Sequence, residues 1–371
     1  MSTQAIPEQF TGYAAVNEED GKALNLTKIQ YTPKKWTEAD VDIKISHCGI
    51  CGSCIHTLTN GWPSPTAYPC VAGHEVVGTV VRAGKESGHS VGERVGVGAQ
   101  GGSCGECDMC QIDKENYCAW GMRGTYQGRY PEDPENYAQG GCGCFRECSH
   151  NHADYIRCQG RFAIAIPAKI ESAEAAPLMC AGATVYSPLK RFGAGPGKRV
   201  AVVGIGGLGH LALQFSNALG AETFALSHSD SKLADAEKLG VKPENFIITK
   251  DEKATAKKWA RSFDLIVCTA FQDDMPIESL FLKLLRPEGT LALCGLPESK
   301  LPAMYGHALV GKGVALAGTL IAGTTQIKEM LEVAADKNVR PWIQVRPMSD
   351  ASQAVKDMDK GKARYRFVLE N

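Results

Sequence analysis

Residues 198–220 read KRVAVVGIGGLGHLALQFSNALG. A short β-branched run leads straight into the turn Gly204-x-Gly206-x-x-Gly209, and an apolar helix-like stretch follows. Gly204 permits the tight turn, Gly206, with Gly207 beside it, lets the backbone approach a pyrophosphate, and Gly209 allows close helix–strand packing. The helix that follows offers free N–H groups and a partial positive charge to phosphate. Taken alone, the motif also fits an ordinary glycine-rich turn. Its context is the stronger signal. ETFALSHS, NFIITK, FDLIVCTA, GTLALCGLP and GVALAGTL are five further short apolar runs, alternating with helix-like segments such as SKLADAEKLG. Alternation of this kind predicts an α/β fold: a doubly wound parallel sheet of six strands that binds a dinucleotide.

Cofactor choice is expected at the end of the second strand, where an NAD site places an acid on the ribose 2′-hydroxyl. In TFALSHSDSK that place falls to Ser227 and His228, with Lys232 shortly after. A hydroxyl, an imidazole and an ammonium can hydrogen-bond a 2′-phosphate that a carboxylate would repel, so NADP(H) is expected over NAD(H). Asp230 argues the other way if the strand runs on, and a solvated turn is the bland reading of all four residues.

A chain of 371 residues exceeds what one core usually serves, which predicts two domains. Residues 1–168 are rich in Gly, Pro, Cys and short β-branched runs such as VVGTVVRAG, the texture of a loop-rich β domain. Residues 169–320 carry the alternating pattern. Residues 321–371, with the helical TTQIKEMLEVAADK and the strand-like ARYRFVLE, are assigned back to the first domain. A net charge of -1, from 40 basic and 41 acidic residues, offers nothing to nucleic acid or anionic membrane, and the expected partner is a small molecule. No run approaches the roughly 20 apolar residues of a membrane span, and the N-terminus lacks a secretory pattern. Fifteen cysteines without a leader are read as thiols and metal ligands in the cytoplasm.

Cys104-x2-Cys107-x2-Cys110-x7-Cys118 sets four thiolate donors in a short loop, which suits a closed, structural tetrahedral zinc. A ferredoxin-type cluster would continue with x3-Cys-Pro instead. Elsewhere HCGICGSCIH supplies Cys51, Ser53 and His56, AGHE supplies His74 and Glu75, and LMCAGATVYSPL supplies Cys180. One imidazole and two thiolates make the Cys2His set of a catalytic zinc, although spacing cannot join residues so far apart.

The ordered series GICGSCIH, GHE, C-x2-C-x2-C-x7-C, LMCAGATVYSPL, GIGGLGH and RYRFV resembles the zinc-dependent medium-chain dehydrogenases, most nearly the cinnamyl-alcohol-dehydrogenase branch with its fungal NADP-dependent alcohol dehydrogenases. The resemblance spans nearly the whole chain. It implies a discontinuous GroES-like catalytic domain interrupted by the cofactor domain, with the active site in the cleft between them, and a homodimer. It implies two zinc ions: a catalytic one on Cys51, His74 and Cys180 with Glu75 as an occasional fourth ligand, and a structural one on Cys104, Cys107, Cys110 and Cys118. It makes Ser53 and His56 a proton relay, and it places the Thr184 hydroxyl near the cofactor. The activity implied is hydride transfer between NADP(H) and an alcohol/aldehyde pair, with zinc as Lewis acid and the protein working as an aldehyde reductase. Two alternatives stand beside it: reduction of an iminium or conjugated C=C bond on the same fold, and an inactive cofactor-binding relative with a structural or regulatory role.

Three departures stand out. Many relatives place Asp directly after the relay hydroxyl, where it bonds the zinc-ligating histidine; this chain has Cys54, for which packing is the plain reading and a thiol ligand or an oxidation site the others. His228 stands where an arginine is familiar, so NADP binding is expected to strengthen as pH falls. The segment 126–152 is long and carries Cys142, Cys144 and Cys148; it is expected to be an inserted surface loop, with a third metal site assisted by His150 or His152 as the alternative.

Overall fold

The structure is a computed structural model and describes residues 6–142, 155–270 and 272–371. It separates into two compact units, one of residues 1–180, 323–335 and 341–371, the other of residues 181–322 and 336–340.

The second unit is built on six parallel strands. Their spatial order is Phe246–Ile248, Glu222–Ser227, Arg199–Val203, Phe263–Cys268, Leu285–Leu293 and Ala315–Gly318. Numbered along the chain this is 3-2-1-4-5-6, the dinucleotide-binding order, and its reversal lies between the first and fourth strands. The strands read as near-continuous apolar runs because helices cover both faces. On one side Phe224, Phe263 and Trp259 pack edge to face and stacked, with ring centroids 5.0–6.1 Å apart. Each fully buried side chain of this size contributes about 1.5–3 kcal/mol. The helix Gly209–Ala218 buries Leu211, Ala212, Leu213 and Phe215.

In the first unit a seven-stranded sheet runs Ile164–Ala165, Arg94–Val97, Val76–Ala83, Asp40–Gly49, Arg366–Glu370 and Ile343–Pro347, with Tyr155–Gln159 also paired to Asp40–Gly49. The tail enters here because Val368, Leu369 and Glu370 pair antiparallel with Gly49, Cys48 and His47. The helix Thr324–Lys337 repeats apolar residues at Ile327, Met330, Leu331 and Ala334, all buried, which is the i, i+3, i+4, i+7 stripe of an amphipathic helix. Its N-terminus is capped by a carboxylate from elsewhere in the same unit: Glu115 Oε1 accepts from Thr324 N–H at 3.2 Å and from its hydroxyl at 2.5 Å. Among the described residues no helix is long and apolar enough to cross a membrane.

In the segment 126–152, the described residues 126–142 are more than a surface loop. Its hairpin Arg129–Tyr130 with Asp133–Tyr137 is rooted by Tyr126, Tyr130, Ala138 and Cys142, all buried. Apolar side chains and paired backbone draw it inward: Cys142 N–H donates to Ala72 O at 3.1 Å and Cys142 O accepts from Tyr13 N–H at 2.8 Å. Cys144, Cys148, His150 and His152 lie outside the described residues.

Candidate active site

Four ligand-type side chains converge in the first unit. After the strand Asp40–Gly49, Ile50 N–H donates to Phe367 O at 3.0 Å, and Cys51 follows as the N-cap residue of the helix Gly52–Leu58. His74 and Glu75 lie immediately before the strand Val76–Ala83. Gly73, just ahead of them, has φ +101°, and a Cβ there would meet Cys48 Sγ at 2.8 Å, so only glycine fits. Cys180 sits in a π-helical turn, Leu178–Gly182, an irregularity that often marks functional sites. The ligand atoms of Cys51, His74, Glu75 and Cys180 all lie within 4.8 Å of one another, and all four residues are buried.

His74 Nε2 and Glu75 Oε2 are buried with no hydrogen-bond partner in the protein. Such an atom costs on the order of 1–3 kcal/mol unless something satisfies it. An unpartnered imidazole nitrogen grouped with two thiols is the donor chemistry of a Cys2His zinc, so these residues fit the metal. The Cys51 thiol is held well below its ordinary range, chiefly by the hydrogen bond with Cys180 and then by His74, against the opposing effect of burial. Cys180 moves the other way, raised by its hydrogen bond with Cys51 and by burial.

Glu75 is fully buried and its Oε1 accepts from Arg366 Nη2. Burial pushes its carboxyl up to about 7, against the pull of the Arg366 guanidinium. A Cβ on Gly49 would collide with Glu75 Oε2, which makes that glycine the space the acid occupies. Ser53 Oγ lies 3.8 Å from Cys51 Sγ. His56 follows one helical turn later on the same face, its ring stacked on Trp62 at 5.6 Å and 25°. Both Ser53 and His56 are partly exposed.

Cys54 is 1% exposed and packs in the apolar core with Leu58, Cys70 and Val71. Burial pushes its thiol well above the ordinary range, and it is not among the converging ligand atoms. The plain packing reading therefore describes it. The contact to His74 Nδ1 is made instead by the Tyr126 hydroxyl at 2.9 Å, with the two rings 5.3 Å apart and 20° from parallel.

Cys104, Cys107, Cys110 and Cys118 form the second group of converging ligands. Their sulfurs lie 3.9 Å (Cys104 to Cys110), 3.9 Å (Cys107 to Cys118) and 3.5 Å (Cys104 to Cys118) apart. A tetrahedron of sulfurs about 2.3 Å from a zinc has edges of about 3.8 Å. Cys107 N–H donates to Cys104 Sγ and Ala119 N–H to Cys107 Sγ, both at 3.4 Å. The Ala119 and Cys110 N–H groups bring the Cys107 thiol down to about 6, which readies it as a thiolate.

In the second unit the glycine turn has the expected geometry. Gly204 takes φ +85°, a Cβ on Gly209 would run into Gly204 O, and a Cβ on Gly206 would meet nothing within 4 Å. Gly207 lies in the same turn, ahead of the helix Gly209–Ala218. The strand Glu222–Ser227 ends at Ser227; His228 is exposed, and Asp230 begins the next turn, Asp230–Lys232. Thr184 is buried near the start of the helix Ala183–Arg191.

Tyr126 and Arg366 were not singled out from the sequence. Arg366 had a signal, a single cation at the start of the largely apolar C-terminal strand RFVLE. Tyr126 had none.

Fold and side chains together define a dinucleotide-dependent dehydrogenase with two groups of side chains of the kind that hold a metal. Residues 37–168 match the alcohol dehydrogenase GroES-like domain and residues 207–336 the zinc-binding dehydrogenase domain. The chain is 38% identical to the NADP-dependent alcohol dehydrogenase 6 of Saccharomyces cerevisiae over 98% of its own length and 97% of that protein's. A cinnamyl alcohol dehydrogenase of Sorghum bicolor shares the fold at TM-score 0.86 and 32% identity, covering 98% of this chain and 97% of that one. The CAD of Helicobacter pylori, solved in complex with NADP(H), follows at TM-score 0.84 and 28% identity over 98% and 99%. The protein belongs to the zinc-dependent medium-chain alcohol dehydrogenase family.

Proposed function

We propose that the protein is an NADPH-dependent aldehyde reductase, reversible as an alcohol dehydrogenase, with catalytic zinc on Cys51, His74 and Cys180. The observation that carries this reading is the buried convergence of two thiols with a histidine nitrogen that has no partner in the protein. Zinc held there supplies Lewis acidity, polarising a carbonyl or lowering the pKa of an alcohol near neutral pH. Glu75, neutralised by Arg366 and turned toward the same group, is a reserve donor. Ser53 Oγ conducts the proton of the substrate oxygen, being too weak a base to remove it alone. His56, on the same helix face and partly exposed, exchanges that proton with solvent.

A second zinc on Cys104, Cys107, Cys110 and Cys118 is part of the proposal, supported by sulfur separations that match a tetrahedral shell. NADP(H) is preferred over NAD(H): Gly204, Gly206, Gly207 and Gly209 would receive the pyrophosphate, and Ser227, His228 and Lys232 the 2′-phosphate. The end of the strand at Ser227, three residues before Asp230, supports this preference. Thr184 is assigned to the cofactor by family pattern. We also propose a cytoplasmic homodimer. Free thiols at every described cysteine agree with a reducing compartment, and exposed Tyr305 and Val310 offer the second unit an apolar surface.

NADPH oxidation, screened against aromatic and aliphatic aldehydes beside a Cys51→Ser variant, tests the reading. Turnover in the wild type that collapses in the variant is expected. Equal turnover in both would remove the Cys51 centre from the mechanism.

A further inference from the structure

We propose that Tyr126 is the positioning residue of the catalytic metal centre, its phenol oxygen accepting the Nδ1–H of His74 so that Nε2 is presented to the metal. This rests on the assignment of Cys51, His74 and Cys180 as zinc ligands.

The two ring nitrogens of His74 have different surroundings. Nε2 is buried without a protein partner, while Nδ1 lies 2.9 Å from Tyr126 Oη. A neutral imidazole that ligates through Nε2 keeps its proton on Nδ1 and needs an acceptor there. The usual acceptors are a carboxylate, a backbone carbonyl or water. Here a phenol oxygen takes that place, and the near-parallel rings, 5.3 Å apart, add a packing restraint on the imidazole plane.

The phenol is itself held firmly. Thr125 N–H donates to Ala99 O at 3.0 Å and Gln127 N–H to Ala138 O at 2.9 Å, which fixes the backbone on both sides of Tyr126. The Gln127 side chain clamps Ala67 through both amide atoms, at 2.7 and 2.9 Å. Burial pushes the phenol's pKa up, against the smaller opposing pull of Thr57, on the helix that carries Ser53 and His56.

Charge gives the arrangement a consequence. A carboxylate behind the histidine adds a negative charge close to the metal and raises the basicity of the ligand. A neutral phenol orients the ring without adding that charge. Removing its oxygen therefore leaves Nδ1–H buried and unpaired, with no formal charge altered.

The test is zinc binding by the metal-free full-length protein, read by competition with a chromogenic chelator, for wild type, Tyr126→Phe and Cys51→Ser. Tyr126→Phe keeps the ring and removes only the oxygen. It is expected to weaken zinc at this centre by about 10–100-fold and to lower the melting temperature of the zinc-loaded protein by more than that of the metal-free protein, so that the rise zinc produces is reduced. With 15N-labelled histidine, zinc-loaded wild type should show a slowly exchanging Nδ1 proton on His74 that the variant loses. Wild-type affinity in Tyr126→Phe would overturn the proposal, as would an equal fall in melting temperature with and without zinc, the mark of a role in packing alone. Cys51→Ser separates the two levels of the argument. If it binds as much zinc as wild type, the site assignment itself fails; if it loses this zinc while Tyr126→Phe does not, only the role of Tyr126 fails.

Discussion

The two ligand clusters hold similar donors by opposite means. The cysteine lobe draws all four sulfurs from residues 104–118, and local turns with backbone N–H groups on sulfur set their spacing. The other cluster takes Cys51 from a helix start, His74 and Glu75 from a strand start and Cys180 from a π-turn. Only the folded sheet brings these together. A local set can close completely around a metal, which suits it to stability. A set assembled by the whole fold can be built with three firm ligands and a withdrawn fourth, Glu75 restrained by Arg366, and this suits it to chemistry.

The sharpest way to break that contrast is to remove one thiol from each cluster. Cys51→Ser should lower kcat/KM by on the order of 10^3-fold or more with little change in the melting temperature of the metal-free protein. Cys107→Ser should do the reverse, reducing the yield and melting temperature of folded protein while its folded fraction keeps near-normal turnover. Steady-state kinetics beside thermal melts would show it, and matching behaviour in the two variants would erase the distinction.

Smaller effects sharpen the picture of the catalytic side. If Ser53 has the proposed relay role, Ser53→Ala should lose about 100-fold in kcat while binding as much zinc as wild type. Metal analysis beside kinetics separates the two roles; lost zinc would make Ser53 structural. His228→Ala should raise KM for NADPH about tenfold, leaving kcat and the NADH constants nearly unchanged, as expected when a hydrogen bond to a charged phosphate is lost. An equal effect on both cofactors would deny it the 2′-phosphate. Cys54→Ala is expected to do least, changing activity less than about threefold and costing about 1 kcal/mol in a denaturant melt through a small cavity. A drop in bound zinc in that variant would bring Cys54 into the metal centre.

Elements with local causes were legible. The six strands of the second unit lie in the runs read from the sequence, since strands buried on both faces must be apolar throughout. The Gly204 turn has the expected conformation because its glycines answer steric demands within a few residues. Of the segment 126–152 only residues 126–142 are described, and there polar residues at the surface masked the inward anchors Tyr126, Tyr130 and Cys142, whose burial depends on distant partners such as His74 and Ala72. At position 54, where many relatives place an Asp that bonds the zinc-ligating histidine, this chain has the buried Cys54. The residue that contacts His74 instead lies 52 positions along the chain.

What the sequence by itself determined was the dinucleotide-binding architecture and the four-cysteine lobe. Both follow from periodicity, glycine stereochemistry and ligand spacing, all of which act over short stretches of chain. Residue types and family likeness together pointed to Cys51, His74 and Cys180 as the candidate catalytic ligands. Only the tertiary structure decided how they are held: which histidine nitrogen has no partner in the protein, that Glu75 pairs with Arg366, and that the Tyr126 hydroxyl contacts His74. The reason is physical. Hydrogen bonds and ion pairs across the fold depend on the register of the sheet and the burial of each partner, and no sequence interval encodes a contact between residues 75 and 366 or between 74 and 126.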